Sequence, residues 1–137
     1  MPISFTVSDV IPATPEKIYD AWLDSAGHTK MTGGKKANIN ANQGAEFSAW
    51  NNFITGQNLV LDRPNRIVQK WRNSNFFELE PDSRLEVLLA PAHGGTRVTV
   101  KHSDVPERLT SIRDGGWRRS YFEPMKKYFG GEGGASV

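Results

Sequence analysis

The sequence predicts an α+β fold in which a curved antiparallel sheet is wrapped around a long C-terminal helix. Three observations predict it. Short segments alternate apolar and polar residues, turn-forming residues recur between them, and the segment GWRRSYFEPMKKYF (116–129) sets five aromatic residues on a helical period.

The elements follow in chain order. Ile3, Phe5 and Val7 alternate with Ser4, Thr6 and Ser8, the period of a strand with one buried face. In ATPEKIYDAWLD the period changes. Thr14 is a good N-cap, Pro15 sits where a missing N–H costs nothing, and Ile18, Ala21 and Trp22 share a helical face. Ser25 is expected to cap a second short helix ending near Met31, before Gly33 and Gly34. A meander follows: strands over 37–40 and 46–50, a tight turn at Asn51-Asn52, and strands over 53–61 and 67–72 around Asp62-Arg63-Pro64-Asn65. Ile67, Gln69 and Trp71 share a face. Leu85, Val87 and Leu89 share a face of the next strand, and after Gly94-Gly95 Val98, Val100 and His102 share a face of the last. Residues 1–130 are expected to form one domain. The tail 131–137, rich in glycine, is expected to be disordered.

On a wheel of about 100° per residue, Trp117, Tyr121, Phe122, Pro124, Met125, Tyr128 and Phe129 fall within roughly 160°. Arg119, Ser120, Glu123, Lys126 and Lys127 take the opposite side. Pro124 lacks the N–H that would bond the Ser120 carbonyl, so a bend is expected there to fit the curved sheet. Arg118 falls inside the apolar arc. Either its stem packs and its head snorkels to water, or its guanidinium faces a cavity and binds a polar or anionic group. Leu109 and Ile112 lie off the ring stripe. Either they cover another surface, or Gly115-Gly116 breaks the helix and resets its phase.

Composition narrows the function. With 137 residues the chain can bury roughly two-thirds of its unfolded surface, enough for a core without covalent staples. A net charge of +2 is too small to argue for nucleic acid. The absence of cysteine excludes disulfides, thiol catalysis and zinc–thiolate sites. The N-terminus MPISFTVSDV has no basic region before an apolar run, and no stretch approaches the roughly 20 apolar residues of a membrane span. No membrane association is expected, and the expected location is cytoplasmic.

The chain carries few groups with a catalytic pattern. There is no HExxH, no GxSxG, no phosphate-binding glycine loop and no cluster with metal-ligand spacing. His28 has no visible partner, and His93 lies in a Pro-Ala-His-Gly-Gly turn expected to be solvated. His102 is either a satisfied core or rim histidine or a base or ligand contact. Glu78 and Glu80 read as a solvated edge. Trp22, Trp50, Trp71 and Trp117 lie on separate elements and either fill the core or line a cavity for an aromatic or apolar ligand.

The motifs TPEKIYDAWLD, FITGQNLVLDRPNRIVQKWR, GTRVTVKHSDVP and GWRRSYFEPMKKYF occur in the order of, and resemble, the family named for the C-terminal domain of the activator of heat-shock protein 90 ATPase. That family lies within the START-like, SRPBCC superfamily of helix-grip folds, and the resemblance covers roughly residues 3–130. It implies a sheet gripping the terminal helix, often with an apolar cavity between them. Eukaryotic members carry a further N-terminal domain that contacts the middle of the chaperone. This chain is expected to begin directly at the C-terminal module, in the manner of small stand-alone bacterial members.

The expected function is non-enzymatic: binding a hydrophobic small molecule between sheet and helix, with Trp71, Val98, Val100, His102, Trp117, Arg118, Tyr121 and Met125 as lining residues. One alternative is a co-chaperone-like protein that binds heat-shock protein 90. The other is a hydrolase or cyclase that uses the cavity. No catalytic residue, metal or cofactor is assigned, and a monomer or weak dimer is expected.

Overall fold

Strand alternation in sequence becomes alternation of burial in the computed structural model, which describes residues 1–131. Except for Gly131, the expected tail lies outside the described residues. Six strands form one antiparallel sheet: β1 (Ile3–Ile11), β2 (Glu46–Ala49), β3 (Ile54–Asp62), β4 (Arg66–Asn73), β5 (Ser83–Ala92) and β6 (Gly95–Val105). Their spatial order is β1-β6-β5-β4-β3-β2. On β5 the buried residues are Ser83, Leu85, Val87 and Leu89, and on β6 Thr96, Val98, Val100 and His102. The register places Leu85 opposite His102, Val87 opposite Val100 and Leu89 opposite Val98, so one continuous apolar face is built from the two alternating patterns.

Two short helices cover that face, α1 (Pro15–Trp22) and α2 (Ser25–Met31). Thr14 caps α1, its Oγ1 accepting from the Lys17 N–H at 3.2 Å, and Pro15 stands in the first turn. The cap of α2 is not Ser25. Asp24 fills that role, with its carboxylate accepting from the Gly27 N–H at 2.8 Å. Ser25 is the first helical residue, and its hydroxyl both donates to the Ile39 carbonyl and accepts from the Ile39 N–H.

A second departure lies beside that pairing. Residues 37–40 do not form a strand; they make a single bridge, Asn38 to Ser48. The Ile39 N–H is taken by Ser25 and the Ala37 N–H by the Thr29 hydroxyl at 2.9 Å. Asn38 and Ser48 exchange both backbone hydrogen bonds, so the Ala37 and Ile39 N–H groups point away from β2. The ladder ends because the Lys36 N–H donates to Asn51 Oδ1 and the Asn40 carbonyl accepts from the Asn58 amide.

Elsewhere, buried polar groups tie loops to the sheet. Gln69 and Asn58 are both almost fully buried. The Gln69 amide donates to Asn58 Oδ1 at 2.9 Å, and Asn58 donates to the carbonyls of Asn40 and Asn42. The β4–β5 connection is held by two arginines. Arg72 pairs with Asp82 and donates to the Phe77 and Glu80 carbonyls, while Arg108 pairs with Glu80 and donates to the Asn75 carbonyl. Glu80 is therefore an ion-paired anchor rather than a solvated edge.

At Gly56 a Cβ would lie 2.0 Å from the Lys70 carbonyl oxygen and 2.7 Å from the Phe47 ring. The backbone of β4 cannot move aside without disturbing its pairing with β5. Gly56→Ala is expected to lower stability by about 1–3 kcal/mol or more in urea denaturation. A cost below a few tenths would show that this close approach is slack.

The C-terminal helical segment starts near Thr110 and contains two wide turns, Ile112–Gly116 and Arg118–Phe122, before the regular helix α3 (Glu123–Gly130). Asp114 and Gly115 leave helical geometry, Gly115 with φ of +105°. The Gly-Gly pair therefore resets the helical phase, as one of the two readings of Leu109 and Ile112 required. Pro124 follows directly on the second wide turn, in which the Glu123 N–H donates to the Arg118 carbonyl five residues back. Pro124 enters as the second residue of α3, where the N–H it lacks has least to do.

Candidate functional site

The ring stripe converges with rings from the sheet and α1. Trp22 stacks on Tyr121 with centroids 5.1 Å apart, and Trp117 lies 4.9 Å from Tyr121, 6.0 Å from Trp71 and 6.4 Å from Trp22. His102 stands edge-on to Trp71 at 4.8 Å. All these rings are buried.

The two buried histidines have tautomers fixed by their partners. The Trp117 indole donates to His102 Nδ1 at 3.1 Å, and an indole nitrogen can only donate. His102 Nδ1 is therefore bare and Nε2 carries the proton. The Nε2–H donates to Ser83 Oγ at 2.8 Å, and Ser83 donates onward to the Trp71 carbonyl at 2.6 Å. For His28 the assignment is reversed. Nδ1–H donates to the Trp22 carbonyl at 2.7 Å, and Nε2 accepts from the Tyr121 hydroxyl at 2.8 Å. Burial pushes the pKa of His102 down to about 3 and that of His28 down to about 4, against 6.5 in water, and it raises that of the Tyr121 hydroxyl. Both imidazoles are neutral and fully partnered.

This arrangement bears on catalysis. A serine nucleophile needs a bare Nε2 facing its hydroxyl and an Nδ1–H held by a carboxylate. Ser83 and His102 show the opposite on both nitrogens, so this pair contains no general base. His102 is a satisfied core histidine.

Beside the cluster a cavity of about 250 Å³ opens between the 50–54 turn, β4 and the helical segment. Its wall includes Trp50, Phe53, Ile54, Trp71, Asn73, Asn75, Ser111, Ile112, Trp117, Arg119, Ser120 and Tyr121. Of the eight residues expected to line a site, Trp71, Trp117 and Tyr121 lie on this wall. Val98, Val100 and Met125 are fully buried core, and His102 sits behind the two tryptophans.

Arg118 is a correction. It does not face the cavity: its side chain is 57% exposed and pairs with Glu123 at 2.8 Å. A wheel of constant pitch misplaces it because the wide turn unwinds the helix there and brings residues five apart together. The arginine on the wall is Arg119, which the wheel assigned to the polar side. Trp50, one of the four tryptophans considered, also lies there, held with Asn51 and Asn52 in left-handed backbone. Its Nε1 is shielded from solvent and has no hydrogen-bond partner among the described residues. Asn73 and Asn75 carried no signal in the sequence, since their position depends on how the Arg72 and Arg108 clamps fold the β4–β5 connection.

Among the described residues, no three His, Asp or Glu side chains come together as a metal site, and no helix is long and apolar enough to cross a membrane.

Comparison with known proteins places this geometry among relatives. The family model described as Activator of Hsp90 ATPase homolog 1-like protein matches residues 12–130. The mouse Activator of 90 kDa heat shock protein ATPase homolog 2 is 23% identical over 124 residues, which are 90% of this chain and 37% of the mouse protein. The chain thus spans little more than a third of that relative. An HSP90 activator from Plasmodium falciparum superposes with a TM-score of 0.81 at 20% identity, covering 93% of this chain and 96% of that one. DynU16, from the dynemicin biosynthetic locus, superposes with a TM-score of 0.76 at 16% identity, covering 93% and 47%. At these identities the superpositions establish the helix-grip fold.

Proposed function

Because the chain belongs to the Activator of Hsp90 ATPase homolog 1-like protein family, we propose that it is a START-like binding module whose ring-walled cavity holds a small hydrophobic molecule without transforming it. The observation that carries this reading is the cavity itself. It has an apolar wall of Trp50, Phe53, Ile54, Trp71, Ile112 and Trp117, with a few polar groups at its edge, the composition of a small-molecule site. Its volume lies just below the roughly 300–1,000 Å³ of drug-sized sites, so the occupant is small. The likeness to a protein of a biosynthetic locus supports a small-molecule partner. The inverted tautomer of His102 speaks against the hydrolase or cyclase alternative at that residue.

The test is a native mass spectrum of protein purified from its own host. A non-protein mass should be retained by the wild type and lost in Ser120→Trp, which fills the cavity from its wall. A bare chain in both samples would argue against a resident ligand.

Family membership and the two activator relatives favour a second reading, a partner surface for heat-shock protein 90. A pull-down with the host chaperone and an ATPase assay separate the two. Binding with a raised ATPase rate supports the chaperone reading, and absence of both removes it.

A further inference from the structure

The polar groups of the cavity are biased toward donors. Among the described residues, no aspartate or glutamate lines it, and Arg119 is the single charged residue on its wall. Asn73 is only 7% exposed. Its Oδ1 accepts from the Asn75 N–H at 2.8 Å, and its amide nitrogen makes no hydrogen bond among the described residues. Tyr121, by contrast, has its hydroxyl committed to His28.

The arginines around this end of the fold differ in their pairing. Arg108 is held by Glu80, Arg113 by Asp114 and Arg118 by Glu123. Arg119 has no carboxylate partner among the described residues. Its guanidinium lies across the helix break, with Nη1 2.6 Å from where a side chain on Gly115 would start. The left-handed φ of Gly115 makes that turn possible, and its bare Cα leaves the surface over which Arg119 folds. Three neighbouring charges are neutralised and one is left at a ring-walled cavity, beside the Asn73 amide, whose nitrogen has no partner among the described residues. A neutral hydrocarbon would cover the Arg119 guanidinium and the Asn73 amide without bonding either, which is unfavourable, whereas an anion would bond them.

We propose that the cavity takes a small aromatic carboxylate, with its ring against Trp71 and Trp117 and Arg119 as its counter-charge at the mouth, Asn73 supplying a further donor. This rests on the cavity-binding reading above and adds the charge and class of the occupant.

The probes are 2-naphthoate and its neutral counterpart 2-naphthamide, titrated into the full chain while the indole N–H resonances of Trp50, Trp71 and Trp117 are followed by NMR. The wild type is expected to bind naphthoate about tenfold more tightly than naphthamide, the scale of one charge-assisted hydrogen bond. Arg119→Gln, a change at an exposed position, should reduce that preference to about twofold or less with naphthamide affinity unchanged. Ser120→Trp should weaken both probes. Equal affinity for the two probes, or a naphthoate preference that survives Arg119→Gln, overturns the carboxylate inference and leaves the cavity reading in place. No movement of the indole resonances with either probe, or undiminished binding by Ser120→Trp, takes away the cavity reading itself.

Discussion

Trp117→Ala is expected to destabilise the protein by about 3–5 kcal/mol, the range for removing a large buried ring. Trp117 is 3% exposed and touches rings from three parts of the fold: Trp22 on α1, Trp71 on β4 and His102 on β6. Its removal opens a void where these elements meet, and neighbours held in pairing strands can collapse into it only in part. It also strips His102 Nδ1 of its donor and leaves a buried acceptor unpaired. Trp117→Phe keeps one aromatic ring in place but loses the N–H and part of the indole, so it removes the hydrogen bond with a smaller loss of packing than Trp117→Ala. That variant should cost about 1–3 kcal/mol, the penalty for an unsatisfied buried group. Urea denaturation checks both, with unchanged m-values showing that the unfolded state is not altered. If Trp117→Phe were as costly as Trp117→Ala, the hydrogen bond to His102 would dominate over packing.

The same residues show what was legible in the sequence. Where a pattern depends on neighbours close in the chain the structure mostly follows it, the helix cap that moves from Ser25 to the adjacent Asp24 being an exception. The Ile3-Phe5-Val7 alternation, the Thr14-Pro15 helix start and the Asn51-Asn52 turn are local chemistry, and each appears where its residues stand. The departures arise where a distant group takes over a local one. The strand expected at 37–40 is reduced to a bridge because the ladder groups on either side of Asn38 are taken by the side chains of Asn51 and Asn58. Arg118 and Arg119 exchange roles because a wide turn changes the helical pitch over five residues, which a wheel of fixed angle cannot represent. The resemblance to a family supplied the fold and the helical wall of the cavity. The wall contributed by Asn73, Asn75 and the 50–54 turn had to come from tertiary structure.

The two buried histidines make stability depend on pH, and the sign follows from their depressed pKa values. In the folded state His102 takes a proton only near pH 3 and His28 only near pH 4, while in the unfolded chain both take one near 6.5. Between these values the unfolded state binds more protons, so stability is fully present above about pH 6.5 and falls as the pH is lowered through that value. At pH 5 each histidine is about 1.5 units below its unfolded pKa, which at about 1.4 kcal/mol per unit is roughly 2 kcal/mol each, or about 4 kcal/mol together. The carboxylates whose pKa values are lowered, those of Asp20, Glu80 and Asp114, start from 3.8 to 4.5 and lose their contribution below this window. Urea denaturation at pH 7.5 and pH 5.0 should therefore show a loss on the scale of a large core mutation. His102→Gln and His28→Gln should each remove about half of that pH-dependent loss, whatever they cost at neutral pH. A wild-type stability that stays flat between pH 7.5 and 5 would mean that the imidazoles reach solvent or a counter-charge when protonated, and that the Trp117–His102–Ser83 chain is not sealed.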